Sequence, residues 1–304
     1  MMRILSVCCL CLVAACGPDP TLISHESAFA LAADASGLYW WRIGPEALRA
    51  STPLGAPGRT LLALPEAFPA RLLLSAGEVI FAGNVYASRP QSLIAVPKSG
   101  GAPRTLASSD LLGDPAVDSD FLYFFDPGKP GIFRTPLVGA GPTTRISDAI
   151  AEAIVIDQGF LYFSSLNPPH IARAPTTGGP AETLIDGESA PLLLVDDGHL
   201  YWPGTYSRIR TMPKTGGTPS DLISFSRRTR MTALAVDAAS VWCLCDDATD
   251  YDPPPSHGDL VRIPKDGSAF KTVVPNITDS YALAVREGDV FWSDPKGIHH
   301  LAMK

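Results

Sequence analysis

The chain has 304 residues, a formal net charge of -7 at pH 7 and only 18% charged residues. This acidic balance, with no basic tract, argues against nucleic acid as a partner. The 29 prolines and 26 glycines indicate many turns, which is typical of an all-β chain, and no segment shows a 3.6-residue apolar period long enough for a helix.

The first twenty residues, "MMRILSVCCLCLVAACGPDP", have the pattern of a targeting segment. Arg3 supplies a positive charge, and the apolar run 4–15 is shorter than the about 20 residues that a membrane-spanning helix needs. The end "VAAC" resembles a bacterial lipobox, in which the cysteine is lipidated. We therefore expect a signal peptide over 1–15, a lipidated Cys16 and a short tether over 16–20. An ordinary signal peptide, cut after a small residue, is the alternative.

Similar segments then recur about 40 residues apart, a period typical of repeat architectures. Examples are "ALAADASGLYWW", "AVDSDFLYFF", "LLVDDGHLYWP" and "LAVREGDVFWS". Aligned on their first aromatic slot, the seven members carry Tyr39, Ile80, Tyr123, Tyr162, Tyr201, Trp242 and Phe291. Nearly every unit also contains a run ending near a proline and then a further short run, such as "RTLLAL" or "ETLID". Four such runs per unit predict four antiparallel strands, a to d.

A unit of four strands repeated about every 40 residues predicts a β-propeller blade, and seven units predict a seven-bladed propeller over 21–304. A two-sheet sandwich is the alternative, but it would not repeat the same turn chemistry. The last unit has runs for strands a, b and c only, whereas the run Thr21-Leu22-Ile23-Ser24 has no partner in its own unit. We expect this N-terminal strand to close the last blade, so that two otherwise unpaired strand edges are removed.

The repeated "LYWW", "LYFF" and "VFWS" segments resemble the Tyr-Trp-Thr-Asp propeller repeat of lipoprotein receptors and TolB-like periplasmic propellers. With the Pro-Lys-x-Gly-Gly turns, they also resemble tandem-repeat propeller lipoproteins of the myxobacterial type. The resemblance covers nearly all of 21–304 and implies a propeller fold. It implies no ligand, because only scattered units keep the aspartate of the receptor repeat, as at Asp126 and Asp294.

The propeller topology also assigns loops to faces. Loops d–a and b–c lie on one face, the top, and turns a–b and c–d lie on the other, the bottom. Strand d therefore starts at the bottom rim, and the residues between Cys16 and Thr21 span less than about 20 Å. We expect the bottom rim of the closing blade to lie against a membrane of the bacterial cell envelope, with the top face directed away.

An aspartate recurs just before the a–b turn of five units. Because Asp caps tight turns through nearby backbone amides, and because it recurs, we predict a structural role for this set rather than a catalytic one. The set is Asp34, Asp118, Asp157, Asp196 and Asp237.

The segment 245–259, "CDDATDYDPPPSHGD", is predicted to be the longest b–c loop. Its oxygen ligands could hold a hard cation such as Ca²⁺, although their spacing does not fit an EF-hand; a solvated acidic insertion is the alternative. The candidate ligands are Asp246, Asp247, Asp250 and Asp252, with His257 and Asp259 nearby. Just before them, Cys243 and Cys245 are predicted to be two small buried hydrophobic residues rather than a metal pair or a disulfide.

Three arginines precede the sixth unit on the top face: Arg227, Arg228 and Arg230. Such a cluster could recognise carboxylate or phosphate groups, or it could be neutralised by the nearby acidic loop. Tyr206, Arg208 and His170 are further top-face candidates from the b–c loops.

The sequence contains no Gly-x-Ser-x-Gly elbow, His-Glu-x-x-His motif or phosphate-binding glycine loop. The favoured function is therefore a lipid-anchored module that binds a protein or small molecule through its top face. The alternatives are a metal-assisted lyase or hydrolase acting at the channel mouth and a structural part of an envelope complex. Apart from the possible Ca²⁺, no cofactor is expected.

Overall fold

The computed structural model describes residues 19–64, 69, 71–83, 91–109, 115–139, 141–205, 207–226, 229–247 and 257–303. These residues form seven four-stranded antiparallel sheets, which confirms the predicted all-β seven-bladed propeller. The described part of the chain contains no helix of the length and apolar character needed to cross a membrane.

Blades 1 to 6 follow the predicted order a, b, c, d along the chain. Blade 1 is β2 (Ala28–Asp34), β3 (Gly37–Arg42), β4 (Ala47–Ser51) and β5 (Arg59–Ala63). Blade 2 is β6 (Leu72–Leu74), β7 (Glu78–Gly83), β8 (Gln91–Pro97) and β9 (Arg104–Ser109). Blade 3 is β10 (Ala116–Val117), β11 (Phe121–Phe125), β12 (Ile132–Pro136) and β13 (Thr144–Ser147). Blade 4 is β14 (Ala153–Asp157), β15 (Phe160–Leu166), β16 (Pro169–Pro175) and β17 (Glu182–Asp186). Blade 5 is β18 (Leu194–Val195), β19 (His199–Gly204), β20 (Arg208–Pro213) and β21 (Ser220–Ser224). Blade 6 is β22 (Thr229–Val236), β23 (Ser240–Asp247), β24 (His257–Pro264) and β25 (Lys271–Thr278).

Blade 7 combines the two ends of the described chain. Its strands a to c are β26 (Ala282–Arg286), β27 (Asp289–Asp294) and β28 (Gly297–Ala302), and its strand d is β1 (Thr21–Ser24). Strand β1 pairs antiparallel with β28, with Thr21 opposite His300 and Leu22 opposite His299. The prediction that the N-terminal strand closes the last blade is confirmed.

The core lies between the blades. Each strand a contacts the corresponding strands of both neighbouring blades, so the seven form a closed ring around the channel. Strand b is buried on both faces, which explains its unbroken apolar runs. One such cluster joins Tyr39 and Trp41 of blade 1 to Val79 and Phe81 of blade 2. All five tryptophans of the sequence are buried in such clusters or beside them.

Four of the five recurring aspartates, Asp34, Asp118, Asp196 and Asp237, cap the a–b turns as predicted, whereas the fifth, Asp157, pairs with Lys214. In blade 5, one carboxylate oxygen of Asp196 accepts hydrogen bonds from the backbone amides of Gly198 (2.8 Å) and His199 (2.7 Å). The other oxygen accepts a hydrogen bond from the Tyr201 hydroxyl at 2.8 Å. Asp118 and Asp237 make the same set of bonds, with Tyr123 and Trp242 as the aromatic donors. The repeated aspartate and the aromatic slot therefore form one structural unit.

Lysines of the c–d turns join neighbouring blades on the bottom face. Lys265 of blade 6 lies 2.6 Å from the carboxylate of Asp196 in blade 5. Lys98 of blade 2 pairs in the same way with Asp34 of blade 1, and Lys214 of blade 5 with Asp157 of blade 4. We call these three pairs the bottom clasps; each ties the turn of one blade to the turn of the blade before it.

The structure of blade 6 corrects two predictions, one on the acidic segment and one on the cysteines. Strands β23 and β24 extend further than expected, so Asp246, Asp247, His257 and Asp259 lie in a hairpin rather than in a loop.

The second correction concerns Cys243 and Cys245, which form a disulfide rather than two separate thiols. Their side chains share one face of β23, as residues i and i+2 must. Their Cα atoms are only 5.6 Å apart, within the range that a disulfide spans and closer than the about 6.6 Å of a regular strand. The partner strand β22 shifts register opposite this point, between Met231 and Ala233. The locally irregular strand pair accommodates the bond.

Candidate functional site

The top of the inner strands carries a run of corresponding side chains in three adjacent blades. Each of these residues lies three positions before the strand-a residue that pairs with the aromatic slot of strand b. They are Thr232 in blade 6, Tyr281 in blade 7 and Phe29 in blade 1. Phe29 is the extra residue of a β-bulge between Ala28 and Ala30. Because a bulge re-aims the side chain of its extra residue, the local backbone sets the direction of this ring.

Phe29 and Tyr281 form an exposed aromatic pair. Their rings meet edge to face, with centroids 5.9 Å apart and an interplanar angle of 65°. The two residues are 37% and 36% exposed, although most other large aromatics of the inner strands and strand b are buried. Partial burial raises the pKa of Tyr281, and the nearby charges of Asp279 and Asp294 raise it further. The hydroxyl therefore stays protonated at neutral pH and can donate a hydrogen bond.

Polar contacts hold the neighbouring part of the top face. The hydroxyls of Thr232 and Ser280 lie 3.2 Å apart and link blade 6 to blade 7. Two residues before Thr232, the Arg230 guanidinium is 63% exposed and donates a hydrogen bond to Asp246 at 2.9 Å. We call Phe29, Tyr281, Ser280, Thr232 and Arg230 the mouth patch.

Arg230 is the one member of the predicted arginine cluster inside the described ranges; Arg227 and Arg228 lie outside them. The carboxylate of Asp246 is only 2% exposed, and Arg230 pairs with it. This pair supports the alternative in which the acidic segment neutralises the arginines. Gly258 makes room for the pair, because a Cβ atom there would lie 2.2 Å from a carboxylate oxygen of Asp246.

The predicted calcium site in the segment 245–259 stays a prediction, because most of this segment lies outside the described residues. Asp250 and Asp252 lie outside the described residues, as does the side chain of Asp247. Within the described ranges, no group of three or more His, Cys, Asp or Glu side chains is arranged to hold a metal ion.

A second feature of the top face is a cleft of about 310 Å³ between blades 4 and 5, which we call the blade 4–5 cleft. Its lining includes Pro169, Glu188, Trp202, Gly204, Arg208 and Arg210. Glu188 accepts hydrogen bonds from the indole nitrogen of Trp202 (3.3 Å) and from Arg210. The two arginines of the cleft also pair with Asp221, Arg208 at 3.0 Å and Arg210 at 3.3 Å.

The b–c loop candidates are partly brought together here. Arg208 lines the blade 4–5 cleft, and His170 follows Pro169, which also lines it. The His170 ring bonds the backbone oxygen of Pro168 at 2.8 Å and contacts Phe163 edge to face. Tyr206 lies outside the described residues. The structure thus places His170 and Arg208 at one blade junction and Arg230 in another blade.

Sequence reasoning missed Phe29, Tyr281 and Glu188. The alignment of the units contained a signal for Glu188, since "HESA" and "GESA" precede the strands of blades 1 and 5 at the same distance from a tryptophan. Nothing in the sequence distinguished Phe29 and Tyr281 from buried aromatics, because their exposure depends on the bulge and on the blade junction.

A cavity of about 650 Å³ lies on the bottom face between the a–b turns of blades 4 to 6. Its carboxylates belong to the structural unit described above. Burial acts to raise the pKa of Asp196, but Lys265, the turn amides and Tyr201 outweigh it and lower the pKa to about 2. Burial and the neighbouring Asp196 raise the pKa of Tyr201. Asp196, Lys265 and Tyr201 are therefore bonded to one another at this cavity.

No protein-family model and no curated protein matches the sequence. Solved structures that resemble it are propellers. A structure of YCF48 bound to D1 peptide has a TM-score of 0.64 at 14% identity, over 94% of this chain and 96% of that one. BamB from Moraxella catarrhalis has a TM-score of 0.56 at 14% identity, over 90% and 85%. A structure of a nidogen/laminin complex has a TM-score of 0.51 at 16% identity, over 73% and 84%. At these identities the likeness shows the propeller fold.

Proposed function

We propose that this chain is a partner-binding module of the bacterial cell envelope, held to a membrane by a lipid on Cys16. Its propeller binds a protein partner through the mouth patch on the top face. The observation that carries this proposal is the exposed pair of Phe29 and Tyr281 on adjacent blades, at the top of otherwise buried strands.

The chemistry of the mouth patch suits protein recognition. Aromatic rings and arginines are enriched among the residues that dominate the binding energy of protein interfaces. The rings bury a large area with few rotatable bonds, and the guanidinium group forms several charge-assisted hydrogen bonds. Phe29 lies in the bulge of β2, and Tyr281 directly precedes β26 and donates its backbone amide to Ser293, so both rings are already oriented before a partner arrives. Tyr281 adds a hydroxyl donor and Arg230 a partly exposed guanidinium.

Two observations support a location in the envelope. The segment 1–16 ends in a lipobox-like sequence, and the folded part contains the Cys243–Cys245 disulfide. Disulfides persist in oxidising compartments such as the periplasm and the cell surface. With the tether at the bottom rim, the mouth patch would face away from the membrane.

The comparison structures are consistent with a binding role. The YCF48 structure holds a peptide, and the nidogen structure is a complex with laminin, so propellers of this general shape can present a protein-binding face. We therefore favour a polypeptide segment over a small molecule as the partner.

Site-specific photo-cross-linking in cells tests the proposal. A photo-reactive amino acid at position 281 should capture a defined partner, whereas the same residue at Val138, which is 87% exposed on the bottom face, should not. The capturing chain, with its photo-reactive residue at 281, should lose the partner when Phe29→Ser is added. Equal capture at both positions, or undiminished capture with Phe29→Ser, would contradict the proposed role of the mouth patch.

The anchor needs a separate test, because the mouth patch could bind without it. Cys16→Ala should move the protein from the membrane fraction to the soluble fraction and abolish incorporation of radiolabelled palmitate. A Cys11→Ala variant is the matched control and should stay in the membrane fraction. If Cys16→Ala still carries label, the lipobox interpretation is wrong.

A further inference from the structure

Blades 1 and 5 contain the same cluster of three side chains. Each cluster consists of a glutamate from the d–a loop, the tryptophan after the aromatic slot, and the arginine paired opposite that tryptophan on strand c. In blade 1 these are Glu26, Trp40 and Arg49, and in blade 5 they are Glu188, Trp202 and Arg210. We call each set a triad.

The triad of blade 1 has a fourth member. Glu26 accepts hydrogen bonds from Trp40 at 3.0 Å and from Arg49 at 3.1 Å. Its other carboxylate oxygen accepts one from Arg42 at 3.2 Å. Arg42 is the last residue of β3, and its Nε atom also donates to the backbone oxygen of Pro45 at 2.9 Å. The glutamate therefore has two guanidinium groups and one indole as donors.

In blade 5 the fourth member is missing. Strand β19 reads "LYWPG" where β3 reads "LYWWR", so Gly204 stands in the position of Arg42. Strands β3 and β19 have the same register. In each strand the tryptophan lies opposite the triad arginine, and the last residue, Arg42 or Gly204, lies two positions after the tryptophan. Where blade 1 has the Arg42 side chain, blade 5 has the blade 4–5 cleft.

No described side chain of blade 5 takes the place of Arg42 beside Glu188. Arg208 lies opposite Gly204, but its Nη1 atom donates to Asp221 rather than to Glu188. Among the described residues, Glu188 accepts two hydrogen bonds, from Trp202 and Arg210, whereas Glu26 accepts three. A carboxylate has about four acceptor sites, so Glu188 can take a further donor.

The charges also leave room for one more cation. Blade 1 holds two guanidinium groups, of Arg42 and Arg49, against the single carboxylate of Glu26. Blade 5 holds the two guanidinium groups of Arg208 and Arg210 against two carboxylates, those of Glu188 and Asp221. Adding one cation to blade 5 reproduces the balance that blade 1 already has.

We propose that the blade 4–5 cleft binds the guanidinium group of an arginine side chain supplied by a partner, in the place that Arg42 fills in blade 1. The volume of about 310 Å³ is at the lower end of the range for ligand pockets and fits one long side chain. Planar guanidinium groups pair well with carboxylates through parallel hydrogen bonds. The site uses no residue of the mouth patch, so it goes beyond the proposed function and can be tested without knowing the partner.

The test uses N-acetyl-arginine amide as the probe and the uncharged N-acetyl-citrulline amide as its isostere, with binding followed by NMR titration of the tryptophan indole signals. The arginine probe should bind at a stoichiometry of one and at least about tenfold more tightly than the citrulline probe. Glu188→Gln should abolish this preference, and the matched Glu26→Gln should keep it, because Arg42 already occupies the blade 1 site. Equal binding of the two probes, no binding to the parent protein, or a preference that survives Glu188→Gln would overturn the proposal.

Two further variants exchange the sites. Gly204→Arg supplies the guanidinium internally and should abolish probe binding. A Cβ atom at Gly204 would lie 2.8 Å from Cγ of Arg210, so this variant is interpreted only if its circular dichroism spectrum matches that of the parent. Arg42→Gly should open the equivalent cleft in blade 1 and raise the stoichiometry from one to two. A folded Arg42→Gly protein that still binds one probe would overturn the equivalence of the two blades. Tyr281→Ser should leave probe binding unchanged, which separates this site from the mouth patch.

Discussion

The bottom face of this propeller repeats the same chemistry in most blades, whereas the top face differs from one blade junction to the next. On the bottom, Asp118, Asp196 and Asp237 cap their turns with the same bonds, and three lysines form the bottom clasps. On the top, one junction carries an exposed aromatic pair and another a cleft.

The difference separates structural residues from candidates for function. A side chain that recurs in most blades performs a task that every blade has, such as closing a turn or joining a neighbour. A side chain that differs between blades has no such shared task, and the clearest case is Gly204 of blade 5, which stands where blade 1, with the same triad, has Arg42. We therefore expect changes in the repeated framework to reduce stability, and changes at the top-face departures to reduce binding with little loss of stability.

The largest effect is expected from removing the closing strand. Deletion of residues 21–24 leaves blade 7 with three strands and exposes the edge of β28, which pairs with Thr21 and Leu22. The loss of about four backbone hydrogen bonds, each worth about 0.5–1.5 kcal/mol, should lower the free energy of unfolding by several kcal/mol. Chemical denaturation measures the loss. Leu22→Ser is the control, since this side chain is exposed and the strand is kept; a deletion no more destabilising than this control would show that β1 is not needed for closure.

The next largest effect is expected from a bottom clasp. Lys214→Met leaves the largely buried Asp157 without its counter-ion, and we expect a loss of about 1–3 kcal/mol in the free energy of unfolding. Lys271→Met changes an exposed lysine in β25 and should alter stability by less than about 0.5 kcal/mol. Similar losses in the two variants would mean that the clasps do not join the blades.

A smaller effect is expected on the pH dependence of the free energy of unfolding, through Asp196 on the same face. The pKa of Asp196 is about 2 in the folded protein, against an ordinary value of 3.8. A lowered pKa stabilises the fold at pH values above about 4, and this contribution is lost as the pH falls towards 2. Asp196→Asn should therefore lower stability at pH 7 and weaken the fall in stability between pH 4 and pH 2. Thermal unfolding across this range measures both, and an unchanged slope would contradict the role of Lys265 as the partner of Asp196.

The framework could be predicted from sequence because it repeats. The spacing of the units and the recurring aspartates are visible as matches to one pattern, and the unpaired run 21–24 is visible as a departure from it. The structure confirms the number of blades and the closure of the last blade by the N-terminal strand. The Cys243–Cys245 bond could not be predicted, because residues i and i+2 share a face whether or not they are bonded. Their short Cα separation depends on an irregular strand pair that sequence patterns do not show.

The top face was predicted less well for a related reason. The replacement of Arg42 by Gly204 is visible in the aligned repeats, but its meaning depends on the contacts of Glu26, which only the structure shows. Phe29 fits the apolar pattern of strand a, and only the bulge reveals that its ring is exposed. Departures from a repeat can thus be located in the sequence, whereas their consequences require the geometry of the blade junction.

The smallest effect on stability is expected where the effect on binding is largest. Phe29→Ser and Tyr281→Ser each remove a ring that is more than a third exposed, together with one edge-to-face contact. Each should lower the free energy of unfolding by about 0.5–1.5 kcal/mol, less than the loss of a bottom clasp. Chemical denaturation of Tyr281→Ser, compared with Lys214→Met, measures the difference. If Tyr281→Ser proves as destabilising as Lys214→Met, the aromatic pair belongs to the framework, and the distinction between a repeated bottom face and a binding top face fails at this junction.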